Sequence, residues 1–204
     1  MILFDGCSFT YGDELENPEK DAYPHLVARM GLRDGAKPRI YRNIGECGKS
    51  NDGILRTTLE FCENNPVSSA IIQFTKFSRR EIKKSHKKTY FHVTAENRDE
   101  GSLEYYKNLQ NDDDDVANFY KNKFLLENYF KKRNIRHFFF CIENLEKLGS
   151  YGHSSWYELS DKKPIMNTRK LLGRKRNNPL RYSGGHPSIL GHQIIAKEIY
   201  ENFF

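Results

Sequence analysis

The sequence lacks long apolar runs, paired cysteine motifs and a secretion signal. No stretch approaches the ~20 consecutive apolar residues of a membrane-spanning helix, and no basic segment precedes an apolar one near residue 1. The cysteines have no CxxC spacing and the histidines have no metal-ligand spacing, so neither a disulfide framework nor a zinc site is indicated. We therefore expect a cytoplasmic protein with no membrane partner and no metal.

Aliphatic residues are also scarce, whereas aromatic residues are plentiful. Hydrophobic residues make up 37% of the 204 residues and the mean hydropathy is −0.79, yet aromatic residues reach 13%. Phenylalanine and tyrosine can supply a core that the aliphatic residues alone would not, because each ring buries a large apolar area. The length suits one domain spanning residues 1–204. We expect a folded chain rather than a disordered one.

Positive charge exceeds negative charge and is unevenly distributed. The formal net charge is +6, and residues 162–182 carry many basic side chains with no acidic one. A second basic cluster covers 79–88, and an acidic run covers 112–115. We interpret the basic runs as solvated loops; the alternative is a surface for an anionic polymer. No nucleic-acid-binding motif accompanies them, so nucleic acid is not an expected partner.

Short apolar strands alternate with amphipathic helices along most of the chain. The pattern predicts strands at 1–4, 39–44, 70–74 and 136–142, and helices at 23–30, 51–64, 116–130 and from 190 onward. This alternation is typical of an α/β fold with a doubly wound parallel sheet. The run 136–142 is apolar enough for a central strand buried on both faces. Residues 76–114 and 145–182 have no sustained period, and we interpret them as insertions of loops and small elements, or as lids.

A serine and a histidine stand where such a fold would bring them together. Ser8 follows the first apolar run, and His186 precedes the last helix. Because ligands bind beyond the carboxyl ends of parallel strands, both residues are expected at one edge of the sheet. A serine becomes a nucleophile when a base takes its proton, and the oxyanion that forms needs donors. We predict Ser8 as nucleophile and His186 as base, with the N–H groups of Ser8 and Gly48 as oxyanion donors.

Three short stretches resemble the sequence blocks of one enzyme family. FDGCSFTYG at 4–12 resembles block I of the SGNH (GDSL-like) hydrolases, and NIGECGKSN at 43–51 resembles block II, with the block's glycine at Gly48. GHPS at 185–188, followed by Gly191 and His192, is similar to block V, with the catalytic histidine at His186. The resemblance implies a flavodoxin-like three-layer sandwich, a serine esterase and no cofactor. The stretch around Ser8 does not complete the G-x-S-x-G elbow of a different hydrolase fold.

The chain departs from this family at two positions. Where the family has an acid three residues before its histidine, this chain has Ser183. The site is then a Ser–His dyad, or a more distant carboxylate stands in, with Glu143, Glu158 and Asp161 as candidates.

The second departure follows the third predicted strand, where the family places an asparagine that donates to the oxyanion. This chain has none there, which leaves Thr75, Lys76, Ser78 and Arg79 as possible substitutes.

The residues and the resemblance together predict a hydrolase of carboxylic esters, with O-acetyl groups on carbohydrate as the favoured substrate class. The alternative keeps the fold without turnover, as a binding or structural module for an anionic glycan or another macromolecule. The two missing residues favour the alternative, whereas the presence of Ser8 and His186 favours the enzyme.

Overall fold

The computed structural model describes residues 1–32, 37–83, 90–143, 165–173, 178–182 and 184–204. Within these residues, the strands of one parallel sheet are β1 (Ile2–Asp5), β2 (Tyr41–Asn43), β3 (Ser69–Phe74), β6 (Arg136–Cys141) and β7 (Met166–Asn167). Their order across the sheet is β2-β1-β3-β6-β7. The remaining strands, β4 (Arg80–Lys83) and β5 (Tyr90–Val93), form an antiparallel hairpin outside it. The chain therefore reverses its winding direction next to β1, where ligands of such sheets bind.

Helices cover both faces of this sheet. In chain order they are α1 (Ser8–Tyr11), α2 (Pro18–Asp21), α3 (Tyr23–Arg29), α4 (Asn51–Asn64), α5 (Glu100–Glu104), α6 (Asp112–Lys132), α7 (Thr168–Leu172) and α8 (Ile189–Phe203), and a π-helical turn follows α5 at Tyr105–Leu109. None of these described helices is both long and apolar enough to cross a bilayer.

Alternating side chains of the strands form two separate apolar cores. Leu3 and Ile72 point to one face and join a core that includes Ile54 of α4 and Phe119 of α6. The neighbouring residues of the same strands point to the opposite face, where they pack with α3, α7 and α8. Burying one large apolar side chain stabilises a fold by roughly 1.5–3 kcal/mol. The two cores therefore hold three layers together, with α4 and α6 on one side of the sheet.

The predicted α/β architecture with a parallel sheet is confirmed, and the predicted strands and helices lie close to the observed ones. The strands β4, β5 and β7 and the helices α5 and α7 were not predicted individually, because they lie in segments we interpreted as insertions of loops and small elements. The hairpin and α5 lie within 76–114, and β7 and α7 lie within 145–182; the four-residue helices α1 and α2 were not predicted either. The predicted central strand is β6, which lies between β3 and β7, but the predicted burial on both faces holds only for its last residues, Phe140 and Cys141. Most of 145–182 lies outside the described residues, and the single-domain interpretation stays a prediction.

The interpretation of the basic run at 79–88 as a solvated loop is wrong for its first residues. Arg79 is buried, and Arg80 forms an ion pair of 2.6 Å with Asp115. The acidic run 112–115 forms the first turn of α6, where negative charge is favourable because the backbone N–H groups there lack helical partners. Residues 84–89 lie outside the described part of the chain.

Candidate active site

Ser8 lies directly beyond the carboxyl end of β1. The strand ends at Asp5, and the chain turns through Gly6 and Cys7 so that Ser8 becomes the first residue of α1. Only glycine fits at position 6, because a Cβ there would collide with the Thr10 hydroxyl and lie 2.8 Å from the Gln73 Cβ. This tight turn places the Ser8 side chain at the edge of the sheet.

His186 lies in the loop that leads into α8. The loop is closed by hydrogen bonds from the Tyr182 N–H to the His186 carbonyl and from the Ser188 N–H to the Leu180 carbonyl, each 2.9 Å long. The Ser188 hydroxyl also caps α8, since it accepts from the Gly191 N–H at 3.2 Å. These bonds fix the backbone on both sides of His186.

The structure brings Ser8 and His186 together although 178 positions separate them in sequence. The Ser8 Oγ lies 3.0 Å from the His186 Nε2, which is hydrogen-bonding distance. The serine is 6% exposed, whereas about a quarter of the histidine side chain (24%) is exposed. This distance allows proton transfer from the hydroxyl to the ring.

A carboxylate contacts the other nitrogen of the same ring. The Glu14 Oε2 lies 2.9 Å from the His186 Nδ1, and the same carboxylate accepts from the backbone N–H groups of Gly184 and His186 at 3.2 and 3.4 Å. Because a carboxylate only accepts, Nδ1 carries the proton, and the lone pair of Nε2 faces Ser8. Ser8, His186 and Glu14 therefore have the geometry of a hydrolytic triad.

Glu14 is not among the carboxylates predicted from the sequence to contact the histidine. Of the predicted carboxylates, Glu143 instead pairs with Arg169 at 3.4 Å, while Glu158 and Asp161 lie outside the described residues, as does Ser183. The predicted alternative, a Ser–His dyad without a carboxylate, also disagrees with the contact between Glu14 and His186. Glu14 adopts a φ of +67°, a conformation that non-glycine residues rarely take and that clusters at functional sites.

The predicted oxyanion donors lie on two adjoining loops. The loop carrying Gly48 is tied to the loop carrying Ser8, because the Glu46 N–H donates to the Gly6 carbonyl at 3.1 Å. Within the described chain, no hydrogen bond uses the N–H of Ser8 or of Gly48. Both groups are thus free to donate to a ligand. Gly48 has a φ of +77°, so the backbone there requires glycine.

The predicted substitutes for the family's asparagine have other partners. The Thr75 hydroxyl accepts from Arg79 Nη1 at 3.0 Å, Lys76 pairs with Glu96, and the Ser78 hydroxyl accepts from the Tyr106 hydroxyl at 3.4 Å. Arg79 also lies 3.7 Å from Glu96, and its buried Nε has no partner among the described residues. All four side chains thus have partners, but Arg79 keeps one buried donor free.

The side-chain amide of another residue, Asn51, lies against the end of β3. Asn51 is the first residue of α4, and its Oδ1 accepts from the Thr75 N–H at 2.9 Å. This contact fixes the orientation of the amide, so its Nδ2 points away from Thr75. Asn51 is 1% exposed, and its Nδ2 has no hydrogen-bond partner in the part of the chain that is described. A buried donor without a protein partner is uncommon, and this one is free to bind a ligand or a water molecule.

Two further groups border the site. The Asp13 carboxylate lies 3.5 Å from the His186 Nε2. Although the Cys47 side chain is exposed, partial desolvation by the surrounding loops, with a further contribution from Asp13, raises the pKa of its thiol to about 11. Cys47 therefore stays protonated at neutral pH, which disfavours it as a nucleophile.

A buried ion pair supports the base of the site. The Lys49 Nζ contacts the Asp5 Oδ1 at 2.6 Å, and both side chains are almost fully buried. The hydroxyls of Thr57 and Thr58 donate to the other carboxylate oxygen at 2.6 and 2.9 Å. Burial raises the pKa of Asp5 and Lys49 opposes that change. The pair joins the loop of Gly48 to the end of β1.

Comparisons with known proteins identify the fold. No protein-family model and no curated protein sequence matches the chain. The chain is similar to the solved structure of a member of the lipolytic protein G-D-S-L family from Veillonella parvula DSM 2008, with a TM-score of 0.52 and 13% identity over 99% of this chain and 97% of that one. It is also similar to the psychrotrophic esterase EstA from Pseudoalteromonas sp., with a TM-score of 0.56 and 12% identity over 98% and 94% of the two chains.

A third similar structure is LAE5, an alpha/beta hydrolase enzyme from the metagenome of Lake Arreo, Spain, with a TM-score of 0.56 and 14% identity over 98% and 93% of the two chains. At these identities the likeness establishes a shared fold. The predicted SGNH-hydrolase-like α/β fold is confirmed.

Proposed function

We propose that this chain is an SGNH-type serine hydrolase of carboxylic esters. The observation that carries the proposal is the continuous contact from the Ser8 hydroxyl through the His186 ring to the Glu14 carboxylate, with distances of 3.0 and 2.9 Å. Solved structures of the same fold include an esterase and a lipolytic protein, which supports the same reaction class.

The first half of the reaction forms an acyl-enzyme. The Ser8 oxygen attacks the carbonyl carbon of the ester while its proton passes to the His186 Nε2. Glu14 stabilises the imidazolium that results, because its carboxylate accepts from the ring at Nδ1. The imidazolium then gives its proton to the departing alcohol oxygen as the bond between that oxygen and the acyl carbon breaks. Ser8 is left as an acyl ester.

The second half restores the serine. A water molecule gives a proton to His186 and attacks the acyl carbon, and the acyl group leaves as a carboxylic acid when Ser8 regains its proton. The acid and the alcohol together account for the ester and one water. In this scheme neither a metal nor an organic cofactor takes part.

We assign the oxyanion to the N–H groups of Ser8 and Gly48 and to the Asn51 amide. The two backbone groups have no partner among the described residues, and neither does the Asn51 Nδ2. In this assignment Asn51 replaces the asparagine that the family carries after its third strand. Its contact with the Thr75 N–H supports this, since Thr75 occupies that part of the fold.

Acetyl esters of carbohydrate are the proposed substrate class. The test is hydrolysis of 4-nitrophenyl acetate and of acetylated sugars by the wild type and by Ser8→Ala and His186→Ala. Activity that is lost in both variants, with thermal stability retained, is the expected result. Activity that survives in Ser8→Ala would contradict the assignment of the nucleophile.

The alternative is a catalytically inactive module of the same fold that binds an anionic glycan or another macromolecule. The absence of an asparagine after β3 favours it. Binding of an acidic polysaccharide without turnover of any ester, by folded wild-type protein, would support this alternative and contradict the esterase.

A further inference from the structure

An arginine stands beside the proposed base and uses only part of its hydrogen-bonding capacity. The Arg181 Nη1 donates to the Gly185 carbonyl at 2.8 Å, and Gly185 immediately precedes His186. The guanidinium carbon lies 5.9 Å from the centre of the Phe9 ring, and that ring lies 5.7 Å from the His186 ring. Arg181 and the proposed base therefore pack against the same Phe9 ring.

The opposite edge of this guanidinium has no partner. The Nε and Nη2 atoms of Arg181 are buried from solvent, and neither has a hydrogen-bond partner in the part of the chain described above. These two nitrogens form one side of the guanidinium, and their N–H bonds point in parallel. That arrangement matches the two oxygens of a carboxylate.

Charge around Arg181 also favours a ligand with one negative charge. The neighbouring Arg169 already pairs with Glu143 at 3.4 Å. Burial, and next the charge of Arg169, lowers the pKa of Arg181, yet a guanidinium remains protonated at any physiological pH. The site therefore holds a positive charge that no described carboxylate balances, which is unfavourable unless a ligand supplies the counter-charge.

We propose that the Nε and Nη2 edge of Arg181, which is closed to solvent in this structure, opens when substrate binds and pairs with a carboxylate of the substrate, so that the preferred ester carries a carboxylate in addition to its scissile bond. This inference rests on the proposed esterase function and narrows its substrate class to acidic esters. A purely structural role explains only the contact from Nη1 to Gly185, because a single N–H suffices to brace that loop.

Two pairs of substrates distinguish where the carboxylate lies. For a carboxylate on the acyl side, 4-nitrophenyl hydrogen glutarate is compared with its neutral methyl ester. For a carboxylate on the alcohol side, an O-acetylated uronic acid is compared with the corresponding acetylated neutral sugar. In one of the two pairs, wild-type kcat/KM for the acidic ester is expected to exceed that for its neutral partner by about 10- to 100-fold, as for hydrogen bonds to a charged group.

Arg181→Met is expected to bring that ratio close to 1. This ratio distinguishes recognition of the substrate carboxylate from a structural role of Arg181. A disturbed loop would slow the hydrolysis of both esters of a pair to the same extent. Arg136→Met is the matched control: it removes a positive charge from the first residue of β6, at the amino end of the strand, and is expected to keep the wild-type ratio. A wild-type ratio near 1 in both pairs, or a ratio that Arg181→Met leaves unchanged, would overturn the proposal.

A binding measurement keeps the subsite testable if no ester is hydrolysed. Glutarate and galacturonate are titrated calorimetrically into Ser8→Ala, with and without Arg181→Met. Binding that weakens at least about 10-fold in the double variant supports the subsite even when the proposed esterase function fails. An absence of binding to either protein contradicts the subsite, whatever the outcome for ester hydrolysis.

Discussion

Replacement of Glu14 by glutamine tests the part of the site that sequence reasoning missed. Glutamine has nearly the same shape but no charge, and it has one acceptor oxygen where the carboxylate has two. It cannot accept from the His186 Nδ1 and the Gly184 N–H as Glu14 does at 2.9 and 3.2 Å. The imidazolium formed during attack by Ser8 then lacks its counter-charge.

The expected loss is smaller than in a fully buried triad. Removal of the acid in a buried triad lowers kcat about 10⁴-fold, but the Glu14 side chain is 30% exposed, so water partly replaces it. We expect kcat/KM for 4-nitrophenyl acetate to fall by about 10²–10³, which is roughly 3–4 kcal/mol of transition-state stabilisation.

Asp13→Asn is the matched control for Glu14→Gln. Asp13 precedes Glu14 and approaches the ring at Nε2 with a longer distance of 3.5 Å. Its replacement is expected to change kcat/KM by less than about tenfold. Activity of Glu14→Gln within about threefold of the wild type, or equal losses in the two variants, would refute the assignment of Glu14 as the acid.

Three further predictions concern residues around the site. Asn51→Ala is expected to lower kcat by about 10²–10³-fold with little change in KM, as removal of other oxyanion donors does. Steady-state kinetics on the folded variant measure this change, and an unchanged kcat would contradict the role of Asn51. Burial, together with the charge of His186, lowers the pKa of His192 from 6.5 to about 4. The unfolded chain therefore binds the proton first, and stability is lost as pH falls from 6.5 towards 4, by up to about 3 kcal/mol. Urea unfolding should show a larger loss of stability between pH 7 and pH 5 in the wild type than in His192→Asn, where the lowered pKa values of His25, His92 and His137 still contribute, and equal losses in both would contradict it. Lys49→Met leaves the Asp5 carboxylate buried without its partner, and chemical denaturation should show a loss of about 3–5 kcal/mol; a loss below about 1 kcal/mol would contradict it.

Most of the fold could be predicted because local sequence patterns indicate its main strands and helices. The apolar strands β1, β3 and β6 and the amphipathic helices α4, α6 and α8 have periodicities that a window of a few residues reveals. By contrast, β7 consists of Met166 and Asn167, which is too short to have a period. Strand β4 is mostly charged and both strands of the hairpin have only four residues, so no clear alternation marks them in the sequence.

The residues of the candidate site also differ in whether a local sequence pattern reveals them. Ser8 and His186 could be found because each has a local signature and a known position relative to a strand or helix. Glu14 has neither: its role depends on a backbone φ of +67° and on a loop that approaches from 172 positions away. Asn51 resembled an ordinary residue near a helix start, and only its contact with Thr75 shows where its amide lies.

The most direct test of the account is labelling with a fluorophosphonate probe, which reacts with an activated serine whatever ester the protein prefers. The labelled protein is digested and the modified peptide is identified by mass spectrometry. We predict one adduct on Ser8, which is absent in Ser8→Ala and forms much more slowly in His186→Ala and Glu14→Gln. Folded wild-type protein that takes no label, or that takes it on another residue, would contradict the claim that Ser8 is an activated nucleophile.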